Sequence, residues 1–102
     1  MEFLVRMSVH WPAESALADE LRRAEGVRAR ELADQGVIVR LWRLPGTTAN
    51  WGLWRAPDAT ELHAALMSLP LAPHAEFEVQ ALAEHPNDPA ARQQATAPSA
   101  PA

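Results

Sequence analysis

The stretch "VIVRLWRLPGTTANWGLWR", Val37 to Arg55, decides the fold. It opens on β-branched and apolar residues, breaks at Pro45-Gly46, and resumes as a second apolar run. Proline presets φ at the first central position of a turn, and glycine accepts φ > 0 at the next. The pattern predicts a hairpin, with strands over 37–44 and 47–56. The triplet Leu-Trp-Arg occurs at 41–43 and again at 53–55. Repeat architectures need a longer period and several copies, so this is a hairpin and not a repeat. With a two- or four-residue loop around Pro45-Gly46, Arg43 faces Thr48, Leu41 faces Asn50 and Arg40 faces Trp51. Arg43, Thr48 and Asn50 then share one face near the turn, a polar group able to hold a carboxylate. The same residues would also satisfy an ordinary hairpin end.

The flanking segments follow from periodicity. Residues 2–10, "EFLVRMSVH", alternate, with Phe3, Val5, Met7 and Val9 on one side. That period predicts a half-buried strand, which Trp11-Pro12 ends. Residues 14–35 are rich in Ala, Leu, Glu and Arg without proline and predict a helix. Its expected apolar face is Leu17, Leu21, Ala24 and Leu32, with Val27 at the edge. Gly26 reads as a point of close packing, and Gly36 as the helix stop. Residues 58–68 predict a second helix, capped by Asp58 with Glu61 three residues on, and presenting Leu62, Ala65 and Leu66. "AEFEVQAL", 75–82, alternates again and predicts the last strand.

The order β-α-β-β-α-β makes the fold class α+β. It is the ferredoxin-like arrangement, a four-stranded antiparallel sheet with both helices on one face. The other face is expected to expose Leu4, Ile38, Trp42 and Leu53 and to serve as a subunit interface. The domain is expected to span residues 1–85. Residues 86–102, rich in Pro and Ala without periodicity, read as a C-terminal arm or disordered tail.

Composition narrows the functional classes. The chain has 102 residues, 48% of them hydrophobic, which suits one small domain. Its net charge of −4 disfavours nucleic acid and anionic membranes as partners. There is no cysteine, hence no disulfide, thiolate nucleophile or Cys-ligated metal. The four histidines, His10, His63, His74 and His85, lack metal-ligand spacing on one element, so no metal is expected. No segment is long and apolar enough to span a bilayer, and the first residues lack a signal-peptide pattern, so the expected location is cytoplasmic.

One helical feature carries chemistry. Arg22, Glu25 and Arg28 recur every three residues, placing a carboxylate between two guanidinium groups near the edge of the buried face. A half-buried carboxylate beside fixed cations is a candidate general base. Solvated ion pairs produce the same spacing.

The ordered set "LVRMSV", "RLWRLPGTTANWGLW", "LHAALMSLPLAP" and a closing His85-Pro86 resembles the muconolactone Δ-isomerase family, whose pattern runs V-[KR]-M, H-L-W-R-x-x-G-x-Y-A-N-Y, L-H-x-x-L-x-x-L-P-L-F-P-Y-M and H-P. The likeness covers residues 3 to 86. It implies a ferredoxin-like subunit built through dimers into a homo-oligomer, a decamer in the family. It also implies a cofactor-free proton shift in a lactone that bears a carboxylate, turning muconolactone into 3-oxoadipate enol-lactone in aromatic catabolism. By this resemblance Glu25 is the catalytic base. Arg22 binds the carboxylate or stabilises the enolate, and Arg43, Thr48, Asn50 and Trp51 contact substrate.

The chain also departs from the pattern. Thr48 and Trp51 stand where the family has tyrosines, and Arg40 stands for its histidine. Leu71-Ala72-Pro73-His74-Ala75 replaces L-F-P-Y-M. Three alternatives remain at this point. They are an isomerase or cyclase acting on another enone or lactone in secondary metabolism, a cofactor-free monooxygenase or haem-degrading enzyme using Asn50, Trp51 and His74, and a non-catalytic assembly protein.

Overall fold

The computed structural model describes residues 1–91, so most of the proposed tail, residues 92–102, lies outside the described residues. The element order is β1 (Glu2–Val9), α1 (Ser15–Asp34), β2 (Ile38–Arg43), β3 (Ala49–Arg55), α2 (Ala59–Met67), a 3-10 turn (Ala72–His74) and β4 (Ala75–Leu82). The strands form one sheet in the order β2-β3-β1-β4, and every neighbouring pair is antiparallel. This is the expected ferredoxin-like topology.

β1 lies in the middle, paired to β3 on one edge and β4 on the other. Its alternation is that of the sequence, with Phe3, Val5, Met7 and Val9 buried. They pack with Leu32 of α1, Leu62 and Leu66 of α2, Trp54 of β3, and Leu69 and Leu71. The helices therefore cover one face of the sheet. The other face carries Leu4, Arg6, Trp42, Trp51 and Leu53, as the β1, β2 and β3 pairings dictate.

Local chemistry sets the element ends. Asp58 accepts a hydrogen bond from the Glu61 N–H at 2.8 Å, capping α2 as expected. α1 ends where Gly36 adopts φ 78°, with Gly36 N–H bonded to Ala33 C=O and Val37 N–H to Leu32 C=O. That pair of bonds needs a left-handed residue after the helix, and glycine adopts it without a Cβ clash. In the hairpin, Gly46 has φ 77° and the Thr47 N–H donates to Leu44 C=O, the turn Pro45-Gly46 predicts.

Three expectations need correction. The hairpin register differs by two residues: Arg43 faces Asn50, Leu41 faces Gly52 and Arg40 faces Leu53. The loop runs over residues 44–48, because Thr47 uses its hydroxyl on Leu44 C=O and accepts from the Ala49 N–H. Ile38 is buried in the core, and not on the open face. A bulge between Ile38 and Arg40 puts one extra residue in β2, so these two residues point to opposite faces.

The inward stripe of α1 is also rotated from the expected one. Ala18, Leu21, Glu25, Arg28, Ala29 and Leu32 face inward, whereas Leu17, Ala24 and Val27 are exposed. A helix that supplies a cleft as well as a core turns its polar residues partly inward, and a hydrophobicity pattern cannot register that.

Gly52 is required where it stands. A Cβ there would lie 2.6 Å from Trp54 Nε1 and 2.8 Å from Leu41 Cδ2. Leu41 is exposed and can yield, but Trp54 is buried. Gly52→Ala is expected to lower unfolding stability by about 1–3 kcal/mol, the usual cost of overpacking, in urea melts. An unchanged midpoint would show that Trp54 adjusts freely.

Candidate active site

A cleft of about 250 Å³ opens between α1 and the end of the sheet that carries the hairpin loop. Met7 and Val9 from β1 and Leu71 form its apolar lining, and Trp11 walls one side. Arg22, Glu25 and Gly26 line it from α1, and Arg43, Thr48 and Asn50 from the hairpin. Five of the six residues singled out from the sequence thus meet in one place: Arg22, Glu25, Arg43, Thr48 and Asn50.

Trp51 does not join them. It pairs with Trp42 and Arg6, and strand alternation points it to the open face, away from the cleft. Asn50 and Trp51 therefore lie on opposite faces of the sheet, so the Asn-Trp-His grouping of the monooxygenase alternative does not assemble within one subunit. Gly26 is not a close-packing glycine either, since nothing lies within 4 Å of a Cβ built there. Its missing side chain leaves room in the cleft.

Glu25 lies in the inward stripe of α1, not at its edge. Its Oε1 accepts a hydrogen bond from the Leu71 N–H at 2.9 Å. This bond ties α1 to the segment between α2 and β4, and it leaves Oε2 without a protein donor among the described residues. Burial raises the Glu25 pKa above its ordinary 4.5, because the charged form loses hydration. The Leu71 N–H favours the carboxylate and offsets part of that rise.

The two arginines expected to flank this carboxylate pair elsewhere. Arg22 bonds Asp19 at 3.0 Å, and its guanidinium stacks over the Trp11 ring at 4.6 Å from the centroid. Arg28 bonds Ser68 and Glu31. Each i,i+3 pairing is satisfied on the helix surface, where the aliphatic stems reach more easily than toward the half-buried Glu25. Arg22 still lines the cleft beside Glu25. Arg43 forms no ion pair among the described residues and faces Asn50 across the hairpin. The Thr48 hydroxyl donates to Val9 C=O at 2.9 Å, holding the loop against β1.

Sequence reasoning missed Trp11 and Leu71. Trp11 had the signal of an aromatic next to a strand-ending proline. Leu71 acts through its backbone N–H, which no side-chain pattern reveals.

A second cleft of about 260 Å³ lies at the other end of the helical layer, lined by Arg28, Gln35, Arg55 and Glu61 over Leu32. Its cations are already engaged, Arg28 as above and Arg55 with Glu2 at 2.9 Å. The cleft around Glu25 is therefore the better candidate. Of the two, it combines a carboxylate of raised pKa with a cation, Arg43, that forms no ion pair among the described residues. Among the described residues no cluster of His, Asp and Glu could hold a metal ion, and no helix is long and apolar enough to cross a membrane.

The chain is similar to known proteins over most of its length. The family model described as Muconolactone delta-isomerase matches residues 1–88. Muconolactone Delta-isomerase of Acinetobacter baylyi is 36% identical over 89 residues, covering 85% of this chain and 93% of that one. The enzyme of the same name from Cupriavidus pinatubonensis is also 36% identical over 89 residues, covering 85% of this chain and 97% of that one. A crystal structure of muconolactone isomerase superposes with a TM-score of 0.81 at 36% identity, covering 87% of this chain and 95% of that chain.

The Glu25 environment has a consequence for stability. The folded protein holds the Glu25 proton more tightly than the unfolded chain does. Its stabilising effect is fully present below the ordinary value of 4.5 and is lost as pH rises through the raised folded value. Glu25→Gln keeps an acceptor for Leu71 and does not titrate. Urea midpoints measured from about pH 4 to about pH 8 are expected to fall for the wild type relative to this variant. A wild type that gains on the variant as pH rises would mean that Glu25 is better stabilised as a carboxylate in the folded state.

Proposed function

Because the chain belongs to the muconolactone Delta-isomerase family, we propose that it is a cofactor-independent isomerase that shifts a proton in an unsaturated lactone bearing a carboxylate, with muconolactone as the reference substrate. The observation that carries this reading is the half-buried Glu25 carboxylate, open to a cleft whose other polar side chains are two cations, an amide and a hydroxyl.

The chemistry follows from the placement. Glu25 removes a proton from the allylic carbon that is activated through the conjugated carbonyl, and the electron pair spreads into a dienolate. The protonated carboxyl then returns the proton two carbons away, so the double bond moves and nothing is oxidised or reduced. A raised pKa suits a group that must first accept this proton and then give it back. Arg22 lies one helical turn from Glu25, so it faces the reacting part of the ring and stabilises the dienolate oxygen. Arg43, without an ion pair among the described residues and opposite Asn50, receives the substrate carboxylate, with Thr48 beside it. Met7, Val9 and Leu71 exclude water from the ring.

A homo-oligomer formed through the open sheet face is part of the same reading. Trp42 is 43% exposed there, with Arg40 stacked on its ring at 4.9 Å. On the same face the buried Arg6 Nε has no hydrogen-bond partner among the described residues. A second subunit would cover the indoles and supply an acceptor for Arg6.

Two measurements test these statements. Glu25→Gln is expected to lower kcat on muconolactone by about 10²–10⁴-fold and to abolish deuterium incorporation from heavy water. Exchange that survives in the variant would place the base elsewhere. Trp42→Asp is expected to reduce the mass measured by light scattering to that of a smaller assembly, and an unchanged mass would remove the open face as the interface.

A further inference from the structure

We propose that Trp11 is a positioning residue for the reaction, holding Arg22 in the orientation that stabilises the dienolate. The proposal rests on the isomerase reading above and adds a residue that the family pattern did not bring forward.

The need arises from Arg22 itself. Its side chain is 61% exposed, and a free arginine at such a site loses much rotamer entropy when it is fixed. It sits beside the base, so its orientation matters to the reacting atoms. Two contacts restrain it. The Asp19 carboxylate takes one donor, through Nη1 at 3.0 Å. The Trp11 ring lies under the guanidinium, whose carbon is 4.6 Å from the ring centroid.

These contacts do different things. A carboxylate consumes N–H donors and neutralises charge. An aromatic face holds the plane of the guanidinium by cation–π attraction and leaves its edge donors free. Stacking thus fixes the direction of the remaining N–H groups without using them. Trp11 is itself well anchored. It is half-buried, packs against the core, and is followed by Pro12 with its fixed φ. It also lines the cleft together with Arg22 and Glu25, so platform, cation and base border the same space.

The test is a steady-state comparison of Trp11→Phe and Trp11→Leu with wild type on muconolactone, joined to an NMR measurement of the Arg22 Nε–H. Trp11→Leu keeps apolar bulk and removes the aromatic face. It is expected to lower kcat about tenfold with KM within about twofold, while Trp11→Phe retains most of kcat. In wild type the Arg22 Nε–H should resonate upfield from the ring current, and this shift should vanish in Trp11→Leu.

A kcat unchanged in Trp11→Leu overturns the proposal. So does an equal loss in both variants with a raised KM, which would mean a packing effect. An absent ring-current shift in wild type overturns it independently of turnover. A wild type that shows the shift but does not turn over muconolactone would instead refute the isomerase reading, and with it any catalytic use of the stack on that substrate.

Discussion

The alternation of β1 sets which side of the sheet the helices cover. Phe3, Val5, Met7 and Val9 all point to one face, and the strand is hydrogen-bonded on both edges. A slip of one residue against either neighbour would turn four buried apolar side chains to the open face. Because β1 is central, its register also fixes those of β3 and β4. Met7 lies opposite Asn50 on one side and Phe77 on the other. The apolar base of the cleft, Met7 and Val9, is the same row continued to the end of the strand. Core and cleft are thus two ends of one periodic pattern.

Where that row runs out, the protein accepts a less stable arrangement. Glu25 occupies an inward position of α1 that a leucine would fill in a simple packing helix. Its single backbone hydrogen bond from Leu71 holds it without fully offsetting its lost hydration, so its proton affinity rises. Local stability is given up for a carboxyl that holds its proton more tightly than a solvated one does. Around it the cations divide into a restrained one, Arg22, and one without an ion pair among the described residues, Arg43. That asymmetry suits a substrate with two polar ends, one where charge develops and one where it is already present.

Much of this is legible in the sequence. The β1 alternation, the Pro45-Gly46 turn, the Asp58 cap and the Gly36 stop each rest on a local rule, and each appears in the structure. Five residues of the candidate site were also found, because their types suit the chemistry and the slip in hairpin register was by two. A two-residue slip preserves the face, so Arg43 and Asn50 stayed together although their partners changed. The differences have other causes. Ile38 was misplaced because a bulge interrupts the alternation, and Trp51 because a motif position does not state which way a side chain points. The inward stripe of α1 was misread because a polar residue facing a cleft looks like a surface residue in a hydropathy pattern.

The sequence by itself determined the element order, the antiparallel hairpin and membership in a family of proton-shifting isomerases. Those depend on periodicity, turn chemistry and ordered motifs, all of which are local. Only the tertiary structure decided that Glu25 is half-buried and bound to the Leu71 N–H, that neither neighbouring arginine pairs with it, and that Trp11 carries the Arg22 guanidinium. Leu71 lies 46 residues from Glu25 in the chain. A carboxyl's proton affinity and a guanidinium's orientation are set by whatever folding brings against them, and spacing along the chain does not encode that.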